Sequence, residues 1–472
     1  MHGKKEAVSM KNSSSITRRR FVKIGFAAAA VPSIVPRHVL GGPGHTAPSE
    51  RITLGGVGVG GIGYEQMQMH AKAGFQVEAL CDVDDVHAKK TYDKFPQARR
   101  YRDFREMLAK EGDKIDAVYC GTPDHTHAFV TLAALRAKKH VCCVKPLTRS
   151  IEECYLVVDE AKKAGVATQV TATPCTSENA CRVCEIIASG ILGDIVEAHA
   201  WTNRPTWPQG MPSRPGFTSP VPATFDWKLW LGSAEMRPFA DRWPADNPIV
   251  KMAPGAWGRD VVYHPFNHRG WYDFGAGALG DMGCHQANTF YRALDLGHPS
   301  MISATSTRRS DVAFPLASIV TYDYPKRGGF PELRLVWYDG LIKPPSPKVM
   351  DGKSLPTEGV LYVGTKATML VGGLVGGIRI LDPMLHEKAK TIPRTLPRRG
   401  DISAEWMAAC KGGEKAGCNF DWALLITEFV LLGNLAVRTG RAVAFDPKAM
   451  RVANNSAADA LLRLKYHNGW VL

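Results

Sequence analysis

From residue 52 onward the chain alternates short apolar runs of strand length with longer stretches in which apolar residues recur at helical spacing. Residues 52–57, 77–81, 115–120 and 140–144 read as strands, with helices over 64–73 and 127–138 between them. Strands that are apolar on both sides and separated by helices suit a parallel sheet covered on both faces, so this stretch predicts βαβ units.

Near residue 173 the rhythm changes. A helix over 178–188 leads into a strand over 195–202, and a long Pro- and Trp-rich region runs to residue 271. Strands over 319–324, 333–338 and 360–363 then succeed one another without helices, which predicts a mostly antiparallel sheet. The expected fold class is α/β: an N-terminal Rossmann parallel-sheet domain plus a C-terminal α+β domain with a large, mostly antiparallel sheet. At 472 residues the chain exceeds what one core usually holds, and the expected division is a leader and linker over 1–48, a dinucleotide-binding domain over 49–172 and a substrate-binding domain over 173–472. Residues 424–437 are very apolar, but Glu428 and Asn434 interrupt them, so a buried helix is expected there and no stable membrane insertion.

Apolar and charged residues occur in ordinary proportion, which excludes disorder as the organising principle. Of the formal charge of +14, the first 50 residues supply eight Lys/Arg against two Asp/Glu. The remaining excess is spread along the chain without a zinc-finger, helix-turn-helix or RNA-binding signature, so nucleic acid is rejected as the main partner. Thr17-Arg18-Arg19-Arg20-Phe21-Val22-Lys23, followed by an apolar run over 24–31, resembles a twin-arginine export signal and implies a periplasmic or secreted location. Eleven irregularly spaced cysteines fit no disulfide scaffold. Cys181 and Cys184 have CxxC spacing but no second Cys/His pair, and no metal site is expected.

Candidate chemistry begins at Gly58-Val59-Gly60-Gly61-Ile62-Gly63, a GxGxxG between a predicted strand and a predicted helix. The first glycine permits the turn, the second lets backbone approach a pyrophosphate, and the third allows close helix-strand packing. Asp82 ends the next strand, where a carboxylate can accept from a ribose and repel a 2'-phosphate, so NAD is expected and NADP less so.

Three further segments carry a family resemblance. Gly121-Thr122-Pro123-Asp124-His125-Thr126-His127, Val144-Lys145-Pro146-Leu147-Thr148 and Gly280-Asp281-Met282-Gly283-Cys284-His285 resemble, in order, the cofactor-lining loop, the Glu-Lys-Pro motif and the DxxxH element of the glucose-fructose oxidoreductase/inositol dehydrogenase family, Gfo/Idh/MocA. The resemblance implies cofactor contacts at Gly58, Gly60, Gly61, Ile62, Gly63, Asp82, Thr122, Pro123, His125, His127, Lys145 and Pro146, and catalytic roles for Lys145, Asp281 and His285. Asp281 and His285 share a helix face at i, i+4. A neutral imidazole can accept a hydroxyl proton, Lys145 can stabilise a developing alkoxide, and Asp281 can orient His285 or hold a hydroxyl. Val144 departs from the family's Glu, and a loop role is open for His264.

Seven of the eleven tryptophans lie between residues 201 and 271, including Trp257. Aromatic faces pack against sugar rings as readily as they build a small core, and the expected substrate contacts are Trp201, Asn203, Arg204, Trp207, Arg269 and Trp271, with Asp273 a further polar group. The resemblance implies hydride transfer at a hydroxyl of a sugar or glycoside in a homo-oligomer, and export of a folded protein implies a tightly held cofactor. The alternatives are an NAD-dependent glycosidase or lyase that oxidises the sugar transiently, and a degenerate carbohydrate-binding protein.

Overall fold

The computed structural model describes residues 51–252, 258, 260–373 and 376–472. The export-signal segment and Trp257 lie outside them. In the first half, β1 (Thr53–Val57), α1 (Ile62–Lys72), β2 (Gln76–Cys81), α2 (Lys89–Lys94), β3 (Arg99–Tyr101), α3 (Phe104–Glu111), β4 (Ala117–Cys120), α4 (His127–Arg136), β5 (His140–Val144), α5 (Ile151–Ala164) and β6 (Thr168–Thr171) follow one another; the four expected strands and two expected helices are among them, and α2, β3, α3, α5 and β6 are additional. The six strands form a parallel sheet in the order β3-β2-β1-β4-β5-β6. Each of β4's four residues is buried, because helices cover both faces. The order reverses beside β1, so the loops after β1 and β4 diverge and leave a crevice at the carboxyl edge of the sheet.

After α6 (Glu178–Ala188), β7 (Ile195–Trp201) enters a second sheet. The short helices α7 (Trp227–Leu231) and α8 (Pro248–Met252) and the long α9 (Gly277–Leu294) follow. Strands β8 (Met301–Ser306), β9 (Ser318–Tyr324), β10 (Leu333–Tyr338), β11 (Gly359–Gly364), β12 (Thr368–Gly372) and β13 (Ile378–Ile380) complete a seven-stranded sheet, ordered β13-β12-β11-β7-β10-β9-β8. Its pairs are antiparallel except β7 with β10.

The final stretch holds α10 (Pro383–Ala389), α11 (Ile402–Cys410), α12 (Phe420–Thr439) and α13 (Ser456–Ala460), and it does not stay with the second sheet. Trp406 of α11 stacks on Phe75 at 4.5 Å and joins the core of Leu54, Met67 and Leu80 beneath the parallel sheet. Residues 402–410 therefore complete the dinucleotide-binding unit from far along the chain, a return that a division into consecutive segments does not contain. Helix α12 is long and apolar enough to cross a membrane by length and composition, yet it packs against α9, α5, β8 and β9. Glu428 on it is buried and accepts from the Tyr155 hydroxyl at 2.6 Å, so the polar interruption marks an internal contact.

Candidate functional site

β1 carries the chain to the carboxyl edge of the parallel sheet, where it turns through Gly58–Gly63 into α1. Gly58 adopts φ +72° and donates its N–H to the Cys81 carbonyl oxygen at 2.8 Å. An added Cβ there would stand 2.5 Å from the Thr122 nitrogen, and one on Gly63 would stand 2.3 Å from the Gly58 carbonyl oxygen. Neither position tolerates a side chain. Gly60, Gly61 and Ile62 line a cavity of about 540 Å³, so the start of α1 opens on space sized for a cofactor. The cradle fits a dinucleotide, with the pyrophosphate against the glycine turn.

Asp82 is buried below that turn. Its Oδ2 accepts from the Val59 and Gly60 N–H groups at 2.8 and 3.0 Å, and its Oδ1 accepts from Asp84 N–H at 3.0 Å. The carboxylate thus braces the turn as well as lining the cavity. His87 lies against Gly60 and packs edge-on to His264 at 5.0 Å, and His264 Nε2 stands 3.1 Å from Asp84 Oδ2.

At the other end of the cavity, Lys145 follows β5 and meets α9. Its Nζ donates to Asp281 Oδ1 at 2.8 Å and to the Asp281 carbonyl oxygen. Arg269 Nε donates to the same Oδ1 at 2.9 Å, and Arg204 Nε stands 3.9 Å from Oδ2. Burial alone would raise the Asp281 pKa, but the Lys145 and Arg269 cations overcome it and hold the group well below the ordinary carboxylate range. Asp281 is a fixed anion, and its partners are cations, not the His285 that the spacing suggested.

His285, one turn further along α9, is oriented by the domain junction. Its Nδ1 accepts the Thr173 backbone N–H at 2.9 Å, with the Thr173 hydroxyl at 3.1 Å. Burial, aided by Lys145, lowers its pKa to about 3, so the ring is neutral. A neutral imidazole whose Nδ1 lone pair is occupied carries its proton on Nε2. The ring presents a donor to the cavity, which corrects the expectation that it accepts a hydroxyl proton.

Of the other expected positions, Thr122, Pro123, Arg204 and Arg269 line the cavity. His125, His127 and Pro146 stand behind its wall. His127 Nδ1 lies 2.8 Å from the Pro146 carbonyl oxygen and Nε2 lies 2.7 Å from that of Thr122, so it joins the loops after β4 and β5. Cys120 and Cys143 lie against the same ring, the three donor atoms within 4.8 Å of one another, but both ring nitrogens face carbonyl oxygens and serve that link. His125 Nε2 lies 2.9 Å from the Trp230 carbonyl oxygen, and burial lowers its pKa to about 3.

The tryptophan expectation needs the largest correction. Trp201, Trp207 and Trp271 are fully buried away from the cavity wall, and their indole N–H groups donate to the Pro356 carbonyl, the Gln209 side chain and the Val262 carbonyl. Asn203 accepts from Arg204 at 2.5 Å, and Asp273 pairs with Arg214 and Arg237. Trp230 does reach the cavity, as does His264, for which the sequence leaves a loop role open; Asp124, His268 and Phe266 line it too and are not among the expected contacts. Asp124 stood inside the quoted loop motif, whereas His268 and Phe266 carried no local signal.

Residues 52–172 match the family described as oxidoreductase family, NAD-binding Rossmann fold. An inositol 2-dehydrogenase of Salmonella typhimurium is 32% identical over 118 residues, covering 24% of this chain and 34% of that protein. A glycosyl hydrolase family 109 protein of Shewanella baltica is 23% identical over 211 residues, covering 39% and 46%. The chain therefore aligns with under half the length of these curated relatives. Among solved structures, the WlbA dehydrogenase of Bordetella pertussis, in complex with NADH and UDP-GlcNAcA, shares the fold at a TM-score of 0.56 and 15% identity, over 84% of this chain and 99% of that one. The match over residues 52–172 takes in the whole parallel sheet and its glycine turn, so this part of the chain is an NAD-binding Rossmann fold of the oxidoreductase family.

Proposed function

We propose that the protein is an NAD-dependent oxidoreductase acting at a hydroxyl-bearing carbon of a sugar or glycoside. One observation carries the reading: a single cavity joins the glycine turn to the Lys145–Asp281–Arg269 cluster and the Nε2–H of His285. The bound nicotinamide would supply a hydride acceptor or donor. Lys145 and His285 would direct N–H groups at the substrate oxygen and stabilise negative charge as it develops there. Asp281 fixes the Lys145 ammonium, and Arg204 and Arg269 add donors that suit neighbouring hydroxyls. The Asp82 carboxylate beside the turn favours NAD over a 2'-phosphorylated cofactor.

Export by the twin-arginine route belongs to the same proposal and rests on Thr17-Arg18-Arg19-Arg20-Phe21-Val22-Lys23 with its apolar sequel. That route carries folded proteins, so the cofactor would leave the cytoplasm inside the protein. Self-association in solution is also expected, and light scattering of the purified protein tests it. The function is tested by purifying the protein gently, identifying its bound nucleotide by native mass spectrometry, and following cofactor absorbance as sugars and polyols are added. A protein that holds no nucleotide and shows no spectral change with any of them would falsify the proposal.

The likeness to a glycosyl hydrolase over 211 residues favours a second reading, glycoside cleavage through transient oxidation. Product analysis separates the two: net oxidation yields a keto-sugar, and the internal cycle yields a free aglycone with the cofactor restored. Val144, on the cavity wall where the family carries Glu, is the feature that a purely binding protein would share. Binding of sugar without any change in cofactor spectrum would establish that case.

A further inference from the structure

We infer that Trp470, carried on a strap formed by residues 462–472, closes the adenine end of the dinucleotide site and slows release of the cofactor; the inference rests on the dinucleotide reading of the cavity. The sheet fixes which end is which. In the order β3-β2-β1-β4-β5, the glycine turn follows the central β1, Lys145 follows β5 on one side of it, and residues 102–104 follow β3 on the other. Strands β3 and β5 are four strand spacings apart, about 19 Å. With the pyrophosphate at the turn and a ribose toward Asp82, the nicotinamide half extends to Lys145 and the adenine half extends past Asp82. Past Asp82 the cavity is lined by Val83, Arg102, Asp103, Phe104, Val130 and Trp470. Four of these are apolar or aromatic, which suits a planar base.

The strap is anchored at both ends. The Leu462 carbonyl oxygen accepts from Glu152 N–H at 3.2 Å, Arg463 Nε donates to Glu152 Oε1 at 3.0 Å, and the Tyr466 hydroxyl donates to the buried Glu153 at 3.1 Å, so the strap starts on the first turn of α5. It then crosses to the loop after α7. There Asn468 Nδ2 donates to the Gly232 and Ala234 carbonyl oxygens at 2.9 and 2.7 Å, and His467 N–H donates to that of Ser233 at 3.0 Å. From this loop Trp470 turns back to the parallel-sheet domain, its ring 5.9 Å from Phe104 and 5.0 Å from Phe129. The Arg105 guanidinium, itself held by Asp103, stands 5.1 Å from the ring centroid and fixes its tilt.

These bonds hold the strap without help from the indole. Trp201 and Trp271 are sealed by their neighbours, whereas Trp470 is half-buried and keeps part of its surface on the cavity. An aromatic ring held rigidly beside an apolar slot stacks on a base at little cost in lost freedom. Because the strap joins the Phe104 wall to the loop after α7, opening the adenine end means parting Trp470 from both. Such a closure suits a protein that must keep its cofactor through export.

The test loads the full-length protein with NADH, mixes it with excess NAD, and follows the loss of NADH fluorescence to read the release rate. Trp470→Ala should release NADH about tenfold to a hundredfold faster, the share of one stacked base, and Trp470→Phe should recover most of the retention. Asn468→Ala, which loosens the strap and leaves the indole in place, should fall between wild type and Trp470→Ala. Reduced nicotinamide mononucleotide carries the nicotinamide half and no adenosine, so its affinity, read by the same fluorescence, should be equal in wild type and Trp470→Ala. An unchanged release rate in Trp470→Ala overturns the inference. So does an equal loss of affinity for NADH and for the mononucleotide, which would make Trp470 a support of the whole cavity. Wild type that takes up neither nucleotide overturns the dinucleotide reading, and this inference with it.

Discussion

Two regions offer themselves as ligand-binding material, the tryptophan-rich stretch from 201 to 271 and the charged wall around Lys145, and the structure uses them in opposite ways. Trp227 stacks on Trp230 at 5.0 Å, Trp243 stacks on Trp271 at 6.4 Å, and Tyr263 and Phe274 fill the space between them. The rings satisfy one another and form a small core of their own. At the charged wall, three cations converge on one largely buried carboxylate while donors remain turned to the cavity. Aromatic content therefore measures how much core a long excursion needs. A buried charge cluster that faces open space has no such structural justification, because apolar residues of the same volume would serve stability as well.

The largest expected effect lies on the charged side. Lys145→Ala should cut single-turnover reduction of bound cofactor about a thousandfold, since it removes a charged donor from the cavity wall and loosens Asp281. Thermal unfolding should change far less. A variant that melts early and keeps its turnover would reverse the contrast.

Trp271→Ala, on the aromatic side, should behave in the opposite manner. Its indole is fully buried and its N–H donates to the Val262 carbonyl oxygen at 2.8 Å, so truncation should cost about 3–5 kcal/mol of stability by urea unfolding. Sugar affinity of the folded fraction should be unchanged. A fall in affinity without loss of stability would restore the substrate role expected from the sequence.

Asp82→Ser falls between the two. The substitution removes the acceptor for the Val59 and Gly60 N–H groups and a charge that repels a 2'-phosphate. NAD release should quicken about tenfold to a hundredfold, with a smaller change for NADP, as read by fluorescence of the reduced cofactors. Equal effects on both would limit Asp82 to bracing the turn.

How much of this was legible in the sequence follows from whether the cause is local. The βαβ rhythm, the glycine turn and the Asp281/His285 spacing depend on neighbours along the chain, and each stands where local pattern places it. The return of Trp406 onto Phe75 and the meeting of Arg269 with Asp281 depend on how distant segments pack. His127 shows the limit most sharply. Its motif position implied a cofactor contact, but the carbonyl oxygens of Thr122 and Pro146 flank its ring, and no residue type announces a carbonyl.

The smallest effect, and the finest division of the charged wall, concerns His285. If the ring were the base, turnover would follow an imidazole ionisation and its removal would abolish hydride transfer. With Nδ1 held by Thr173 N–H and the pKa lowered to about 3, the ring stays neutral through the ordinary imidazole range, about 6.5. No step in rate should be traceable to it there. His285→Gln can keep a side-chain N–H near the substrate oxygen, so the rate should fall only about tenfold, the share of one neutral donor, with the pH profile unchanged. Loss of a thousandfold together with a displaced profile would return the proton to His285.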